Sequence, residues 1–401
     1  MKQGWEECNL EDYIKLIDYR GRTPVKTESG VRLITAKNVK LGYLQLEPQE
    51  FIAANNYDSW MSRGIPNVGD VIFTTEAPLA NVAQIDTSEK LAFAQRIIVM
   101  QPKANKIDAT FLKHMLLSET VRKKILEKGT GATVLGIKSS LLKKIRISFP
   151  PLPEQQRIVA ILDEAFAAIA NAKANAEQNL KNARELFESY LQGVFENKGE
   201  GWEIKTLDEV CTIKGRIGYR GYTKQDLVEE GEGAISLSPS NIKDNQIIYK
   251  NCTYISWFKY DESPEIKIFD GDIIYCKTAS IGKIALIENL PEKATINPQF
   301  VVLKELKCSS KYLFFFMNSR EFKEQERQII GGTAIPTLSQ ANLGNLKIPI
   351  PSLPEQKAIV QKLDALSAET KKLEEIYNQK LNDLEELKKS VLQKAFSGKL
   401  K

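Results

Sequence analysis

Histidine is nearly absent from this chain of 401 residues, which contains a single one, His114, and its five cysteines are scattered. The cysteines do not fall at the short spacing of a zinc knuckle, so we expect free thiols and no metal site. The shortage of histidine also removes the usual general base of a hydrolytic triad. His114 lies in the amphipathic stretch FLKHMLLSE, which favours a place on a helix surface or in a core.

Long apolar runs are absent too, since no window approaches the roughly 18 residues that a membrane span needs. The start, MKQGWEECNL, lacks the basic stretch followed by an apolar one that is typical of a secretory signal. We therefore expect a soluble, cytoplasmic protein without a membrane partner. The net charge of +5 is mild, and it is compatible with an anionic partner without proving one.

What the sequence does contain is an internal duplication with a period of about 200 residues. Four blocks recur in the same order, and the offset drifts by only a few residues. They are GWE at 4–6 and 201–203, GDVIF at 69–73 with GDIIY at 271–275, FPPLPEQQRIV at 149–159 with IPSLPEQKAIV at 350–360, and YLQGVF at 190–195 with VLQKAF at 391–396.

Each repeat has two halves of different character. The first half carries short β-type runs bounded by Gly, Pro, Asn and Asp, with one predicted helical segment at 109–128 or 310–327. These features predict an α/β (α+β) domain. The second half opens on prolines and continues for some forty residues with apolar side chains spaced three or four apart, which predicts a helix of roughly 60 Å. A helix with one apolar stripe needs a partner, and its own duplicate could form a coiled-coil pair with it.

The two LPEQ-headed helical regions, the two GD(V/I)I motifs and their alternation resemble the specificity subunits of type I restriction–modification systems. The resemblance covers nearly the whole chain. It implies two target-recognition domains, 1–150 and 200–350, and two helical spacer regions, 151–199 and 351–401. The spacers would form an antiparallel coiled coil with pseudo-two-fold symmetry. The organisation would be circular, because the last helix stops where another recognition domain would begin.

The resemblance also implies a function. Such a chain binds double-stranded DNA and reads a bipartite, asymmetric site, with one half-site per recognition domain. Two methyltransferase (modification) subunits and a restriction/translocase subunit would bind it. The chain itself would be non-catalytic and hold no cofactor, whereas S-adenosylmethionine would bind to the partner methyltransferase subunit.

Two other function classes compete with this interpretation. An autonomous DNA methyltransferase or nuclease is suggested by Asn297-Pro298-Gln299-Phe300, which is similar to the Asn-Pro-Pro-(Tyr/Phe) motif that grips a flipped adenine. Its third position differs, and no Phe-x-Gly-x-Gly loop accompanies it, so we interpret it as a strand start. The glycine-rich stretch GTGATVLG at 129–136 lacks the Gly-Lys-(Ser/Thr) of a nucleotide-binding loop. A coiled-coil adaptor without DNA binding would not need two large loop-rich domains.

Candidate DNA-reading residues lie in four loop groups that keep their place in both repeats while their letters change. Polar and basic side chains of this kind read base edges and bind phosphates. The first group comprises Arg20 and Arg22, matched by Arg216, Tyr219 and Arg220; the second Lys37 and Asn38, matched by Asn241; the third Thr74, Thr75 and Glu76, matched by Lys277, Thr278 and Ser280; and the fourth Lys138 and Ser139, matched by Gln340.

Overall fold

The computed structural model describes residues 4–19, 23–330, 336–398 and 400, and the Tyr219 side chain lies outside that description. The chain divides into two compact units. Unit 1 comprises Met1–Glu177 and Asn378–Lys401, and unit 2 comprises Gln178–Tyr377. Trp5 and Leu400 pack against the same core of unit 1, so both ends of the chain belong to that unit, as a circular organisation requires.

The first repeat of the chain alternates short strands and helices before one long helix. The strands are β1 (Glu6–Asn9), β2 (Ile14–Asp18), β3 (Val31–Ile34), β4 (Phe51–Ile52), β5 (Val71–Thr74), β6 (Val82–Gln84), β7 (Leu91–Phe93), β8 (Ile97–Pro102) and β9 (Arg146–Phe149). The helices are α1 (Leu10–Tyr13), α2 (Tyr57–Trp60), α3 (Ala109–Leu117), α4 (Glu119–Glu127), α5 (Ser139–Lys143) and α6 (Leu152–Glu196).

The second repeat follows the same plan. Its strands are β10 (Glu203–Thr206), β11 (Thr212–Gly215), β12 (Leu227–Val228), β13 (Gly233–Leu237), β14 (Ile242–Lys243), β15 (Gln246–Ile247), β16 (Thr253–Ser256), β17 (Lys267–Ile268), β18 (Ile273–Cys276), β19 (Ile284–Leu286), β20 (Ala294–Ile296), β21 (Phe300–Lys304) and β22 (Lys347–Ile350). Its helices are α7 (Leu207–Val210), α8 (Trp257–Asp261), α9 (Ser310–Asn318), α10 (Arg320–Ile329), α11 (Gln340–Gly344) and α12 (Leu353–Ser397).

The sheets repeat as well. Unit 1 has an antiparallel sheet in the order β2-β8-β5-β6 and a mixed sheet β4-β3-β7, in which β3 and β7 run parallel. Unit 2 has the antiparallel sheet β11-β21-β18-β19 and the mixed sheet β12-β16-β13-β20-β17, in which β13 and β20 run parallel. The pairs β1–β9 and β10–β22 close the two domains.

Apolar runs in the central strands are buried on both faces. In β5, Val71 and Phe73 face the core that contains α3, whereas Ile72 between them faces the core around the second sheet. In β18, Ile273 and Ile274 divide between two cores in the same way. Because successive strand residues point to opposite faces, an unbroken apolar run fits a sheet covered on both sides.

The long helices α6 and α12 have 45 residues each and contribute to both units. Along α6 the buried residues Leu162, Ile169, Ala176 and Ala183 recur every seven positions, which is the seam of a coiled coil. Lys173 pairs with Glu385 at 2.7 Å in unit 1, and Arg184 pairs with Glu374 at 3.3 Å in unit 2. Partner numbers fall along α12 as they rise along α6, so the helices are antiparallel, as predicted.

The predicted single helical segments at 109–128 and 310–327 are each two helices. Ser118 ends α3 and begins α4, and Ser319 does the same between α9 and α10. Both serines have extended backbone angles, with ψ of 142° and 159°, and both are buried. A serine side chain can bond to nearby backbone groups, which supports such a break inside an otherwise helical pattern. In the described part of the chain, no helix is long and apolar enough to cross a membrane.

Candidate nucleic-acid interface

The turn that follows the central strand of each unit organises the predicted loops. In unit 1 the backbone N–H of Thr75 donates to Arg96 O at 2.9 Å, and the N–H of Ile137 donates to Thr75 O at 2.9 Å. In unit 2 the N–H of Lys277 donates to Gln299 O at 2.9 Å, and the N–H of Leu338 donates to Lys277 O at 2.8 Å. The third and fourth loop groups are therefore joined by the same main-chain bonds in both units.

The contact between these two groups continues one residue further. Glu76 forms an isolated β-bridge with Gly136, and Thr278 forms one with Thr337. Lys138, two residues after Gly136, is exposed, and Ser139 at the start of α5 is half-buried. The structure thus brings Glu76 and Lys138 into one region of unit 1.

The second loop group has an internal frame made by its asparagines. Asn38 accepts bonds from the backbone N–H and hydroxyl of Thr35 and donates to Gln45 O at 3.0 Å. Asn241 accepts the same two bonds from Ser238 and donates to Ile248 O at 3.4 Å. Both asparagines are buried, so their side chains shape the loop and are not free to reach a base. The exposed member of the group in unit 1 is Lys37.

Different side chains tie the second group to the third in the two units. In unit 1, Asn81 Nδ2 donates to Val39 O at 2.8 Å. In unit 2, Lys283 Nζ donates to Pro239 O at 2.8 Å. The loops are thus held in corresponding places although the residues that hold them differ.

The first loop group is only partly described. Arg20 and Arg22 lie outside the described residues, as does the Tyr219 side chain. Arg216 donates to Ile296 O at 3.1 Å, and its guanidinium lies 5.2 Å from the ring centre of Tyr222. Arg220 lies 3.5 Å from the Glu265 carboxylate. These arginines lie at the end of β20 and near the turn before β17.

Several other predicted residues are buried or half-buried. Thr74 and Thr75 are buried, and the Thr74 hydroxyl donates to Pro78 O at 2.5 Å. Lys277, Thr278 and Ser280 are half-buried. Gln340, at the start of α11, donates from Nε2 to Ile213 O at 2.6 Å, which links the fourth group to the strand that leads into the first.

Arg96 is a residue that the sequence did not single out. Its φ of 93° lies in the left-handed region, which a long side chain rarely adopts. Its guanidinium pairs with Glu76 at 2.8 Å, and the two side chains are 48% and 40% exposed. Aligning FAQRIIV with INPQFVV places Arg96 opposite Gln299, and that match was the available signal.

The rival motifs have structural roles in the described residues. Asn297 accepts a bond from Gln299 N at 3.0 Å and donates to Gln299 Oε1 at 3.0 Å, and β21 begins immediately afterwards at Phe300. The motif is therefore a turn before a strand. In the Gly-Asp motifs, Asp70 accepts from Asn67 N at 2.7 Å, and Asp272 accepts from Phe269 N at 2.9 Å, so both carboxylates cap turns. Thr130 and Gly136 exchange two backbone bonds across the glycine-rich loop.

His114 is a buried residue of α3 that faces α6. Burial lowers the pKa of His114 to about 4, Lys113 adds to the shift, and Asp163 opposes it. Its Nε2 lies 3.5 Å from the Asp163 carboxylate, and its ring packs against Phe166. A neutral imidazole in this place fills the core.

The family model for the type I restriction modification DNA specificity domain matches residues 2–182 and 199–385. The chain belongs to this family. The resemblance expected from the sequence is thereby confirmed.

Two relatives in this family align with nearly the whole chain. The MjaVIII specificity subunit of Methanocaldococcus jannaschii is 23% identical, covering 100% of this chain and 93% of the relative. The EcoKI specificity subunit of Escherichia coli is 22% identical, covering 97% and 83%. Among solved structures, a chain of a type I R-M system has a TM-score of 0.79 at 20% identity, covering 100% and 99%. The HsdS subunit from Thermoanaerobacter tengcongensis has a TM-score of 0.63 at 21% identity, covering 100% and 98%. These structural likenesses establish the shared fold.

Proposed function

We propose that this chain is the non-catalytic, DNA-reading subunit of a type I restriction–modification complex. It recognises a bipartite, asymmetric site in double-stranded DNA, with one half-site for each unit. The observation that carries the proposal is a loop frame that recurs in both units while the side chains on it change. The same backbone contacts with different side chains are expected of two domains that bind DNA in the same way and read different bases.

Side chains on the frame have the chemistry that DNA requires. The exposed Lys37 and Lys138 in unit 1 can contact phosphates, and the half-buried Lys277 can do so in unit 2. Arg96 and Glu76 offer a donor fork and an acceptor to base edges. Phosphate contacts of this kind set position, and the side chains between them set the sequence preference.

Two methyltransferase subunits and a restriction/translocase subunit are the proposed protein partners. The helices supply a surface for docking, because not all of their apolar side chains are covered. Leu186 and Tyr190, 53% and 39% exposed, lie four residues apart on α6, so they share one face. Ile376 of α12 is 51% exposed. Buried apolar area of this kind stabilises subunit interfaces.

The chemistry belongs to the partners in this proposal. S-adenosylmethionine binds to the methyltransferase subunit, and this chain holds no cofactor. We place the complex in the cytoplasm, as expected for a protein that acts on double-stranded DNA. An autonomous methyltransferase or nuclease is the competing function, and it predicts modification or cleavage of DNA by the isolated chain.

A domain exchange tests the proposal. The chain is co-purified with its methyltransferase subunits, and methylated positions are sequenced on a randomised DNA library. Residues 200–350 are then replaced by the matching region of a family member with another specificity. We expect one half-site to change and the other to stay the same. A change in both half-sites would refute independent reading, and methylation by the isolated chain would refute a non-catalytic role.

A further inference from the structure

Two residues occupy the same place in the two units, immediately before the central strand that pairs with β5 or β18. Arg96 precedes β8, and Gln299 precedes β21. The carbonyl of each accepts the backbone N–H of the residue that follows β5 or β18, Thr75 or Lys277, at 2.9 Å. Arg96 and Gln299 are therefore positional equivalents, although one is a cation and the other an amide.

Each of these residues has an equivalent neighbour on the adjoining turn. Glu76 follows Thr75 and Thr278 follows Lys277, and both form a β-bridge to the loop of the fourth group. We call Glu76 with Arg96, and Thr278 with Gln299, the reading dyads. The Glu76–Arg96 dyad is connected by an ion pair of 2.8 Å. The Thr278–Gln299 dyad is placed by the main-chain bond from Lys277 to Gln299.

The backbone conformation of Arg96 indicates that this residue has a functional role, because the conformation does not stabilise the fold. A non-glycine residue at a φ of 93° is strained, and such strain concentrates at functional sites. The ion pair to Glu76 does not offset the strain, because two side chains that are 48% and 40% exposed gain little from pairing in water. What the conformation achieves is to present a guanidinium beside a carboxylate at the junction of two loops.

We infer that the dyads are base-reading pairs, the first for a G·C base pair and the second for an A·T base pair. In the major groove, Arg donates to guanine O6 and N7, and Glu accepts from cytosine N4. Gln bonds to adenine N6 and N7, and the methyl group of Thr packs on the thymine methyl. The inference rests on the proposed function and adds which residues distinguish the two half-sites.

The fixed amide of Gln299 and a lysine near each dyad support this assignment. Gln299 is fixed by Asn297, which donates to its Oε1 at 3.0 Å, so the amide is oriented before any ligand binds. Lys138 lies next to Ile137, whose N–H bonds to Thr75 O, and Lys277 lies next to Thr278. Each dyad therefore has a lysine beside it that can bind a phosphate while the dyad meets a base edge.

Exchange of the dyads is the decisive experiment. The full chain, in complex with its methyltransferase subunits, methylates a randomised DNA library, and the preferred sequence is read from the products. The E76T/R96Q variant should change one G·C position of one half-site to A·T, by roughly tenfold or more in relative rate. The reciprocal T278E/Q299R variant should change one A·T position of the other half-site. The matched control is E7T/R146Q, which alters an Arg–Glu pair of 2.7 Å on β1 and β9.

The base-reading role of the dyads would be refuted by any of three results: an unchanged methylation motif, a change spread over both half-sites, or loss of all methylation by a folded variant. Folding is checked by cooperative thermal unfolding. If the E76T/R96Q variant unfolds at a lower temperature than the wild-type chain, the R96K variant is used to test the dyad instead. R96K keeps the charge and loses the fork, so it should relax one position while overall DNA binding remains. A wild-type complex without any preferred sequence would refute the proposed function itself, whereas an intact wild-type motif with unchanged variants refutes only the dyads.

Discussion

Gln155 Oε1 accepts a hydrogen bond of 2.9 Å from the backbone N–H of Asp108, which joins the first turn of α6 to the N-cap of α3. Its Nε2 donates to Lys106 O at 2.9 Å and to Pro150 O at 2.8 Å, and the residue is fully buried. In unit 2, Gln356 receives the N–H of Ser309 at 2.8 Å in the same manner. The glutamine of each LPEQ motif therefore fastens a long helix to the α/β domain that precedes it.

Replacing Gln155 by Ala should lower the free energy of unfolding by about 2–4 kcal/mol, because buried backbone groups lose their partners. Chemical denaturation of the purified chain measures the change. Gln178→Ala is the control, since Gln178 bonds to Asn182 on the exposed surface of α6 and should change stability by less than about 0.5 kcal/mol. Equal effects of the two substitutions would contradict the fastening role.

Lys37 and Asn38 are neighbours with opposite accessibility, so they should respond differently to alanine. Asn38→Ala should destabilise the chain by about 1–3 kcal/mol, because its four hydrogen bonds shape a buried loop. Lys37→Ala should leave stability unchanged, weaken DNA binding and reduce the slope of log affinity against log salt by about one. Thermal unfolding and salt-dependent DNA titration of both variants measure this. Weakened binding without a smaller slope would remove Lys37 from the phosphate contacts.

Stability should depend on pH through His114. Its folded-state pKa of about 4 lies below the ordinary value of 6.5, so the unfolded chain binds a proton first as the pH falls. The stabilisation is present above pH 6.5 and declines toward pH 4, by roughly 2.5 kcal/mol at pH 4.5. His114→Phe, which copies Phe315 at the matching position of α9, should remove this part of the decline. Urea unfolding of both proteins between pH 7.5 and 4.5 tests it, and parallel curves would disprove the role of His114.

A circular permutant should fold and direct methylation to the same sequence. Trp5 and Leu400 pack on one core, so a few glycines should join the old ends. New termini between Lys198 and Gly199 fall in the segment between α6 and β10. Cooperative unfolding and methylation sequencing of the permutant complex measure the outcome. A folded permutant that has lost sequence preference would argue against the circular organisation.

The long helices could be predicted because their signal is redundant. The apolar spacing that leads to Leu162, Ile169 and Ala176 recurs over more than ten turns, and duplication shows it twice. The breaks at Ser118 and Ser319 could not be predicted in the same way. A serine is tolerated within a helix, and its role as a shared cap depends on where the two flanking helices pack.

Prediction of the site was limited because the sequence does not show which side chains are buried or which backbone angles are unusual. Lysine and asparagine are both residue types that commonly contact DNA, and only the fold shows that Asn38 is buried whereas Lys37 is exposed. Arg96 was not among the candidates because a positive φ leaves no mark on an arginine in the sequence. The internal repeat could have pointed to this position, since alignment of the two copies places Arg96 opposite Gln299.

The main-chain bonds that link Thr75 with Arg96, and Lys277 with Gln299, have a consequence for how new specificities can arise. A peptide N–H and C=O are common to nearly every amino acid, so these bonds survive almost any exchange of side chain. Only proline, which lacks the N–H, is barred from positions 75 and 277. If the proposed dyads read bases, a combinatorial library randomised at positions 76, 96, 278 and 299 would vary the side chains presented to DNA while these main-chain bonds are kept. Sequence preference would then change through side chains alone, without a change in the backbone that holds them.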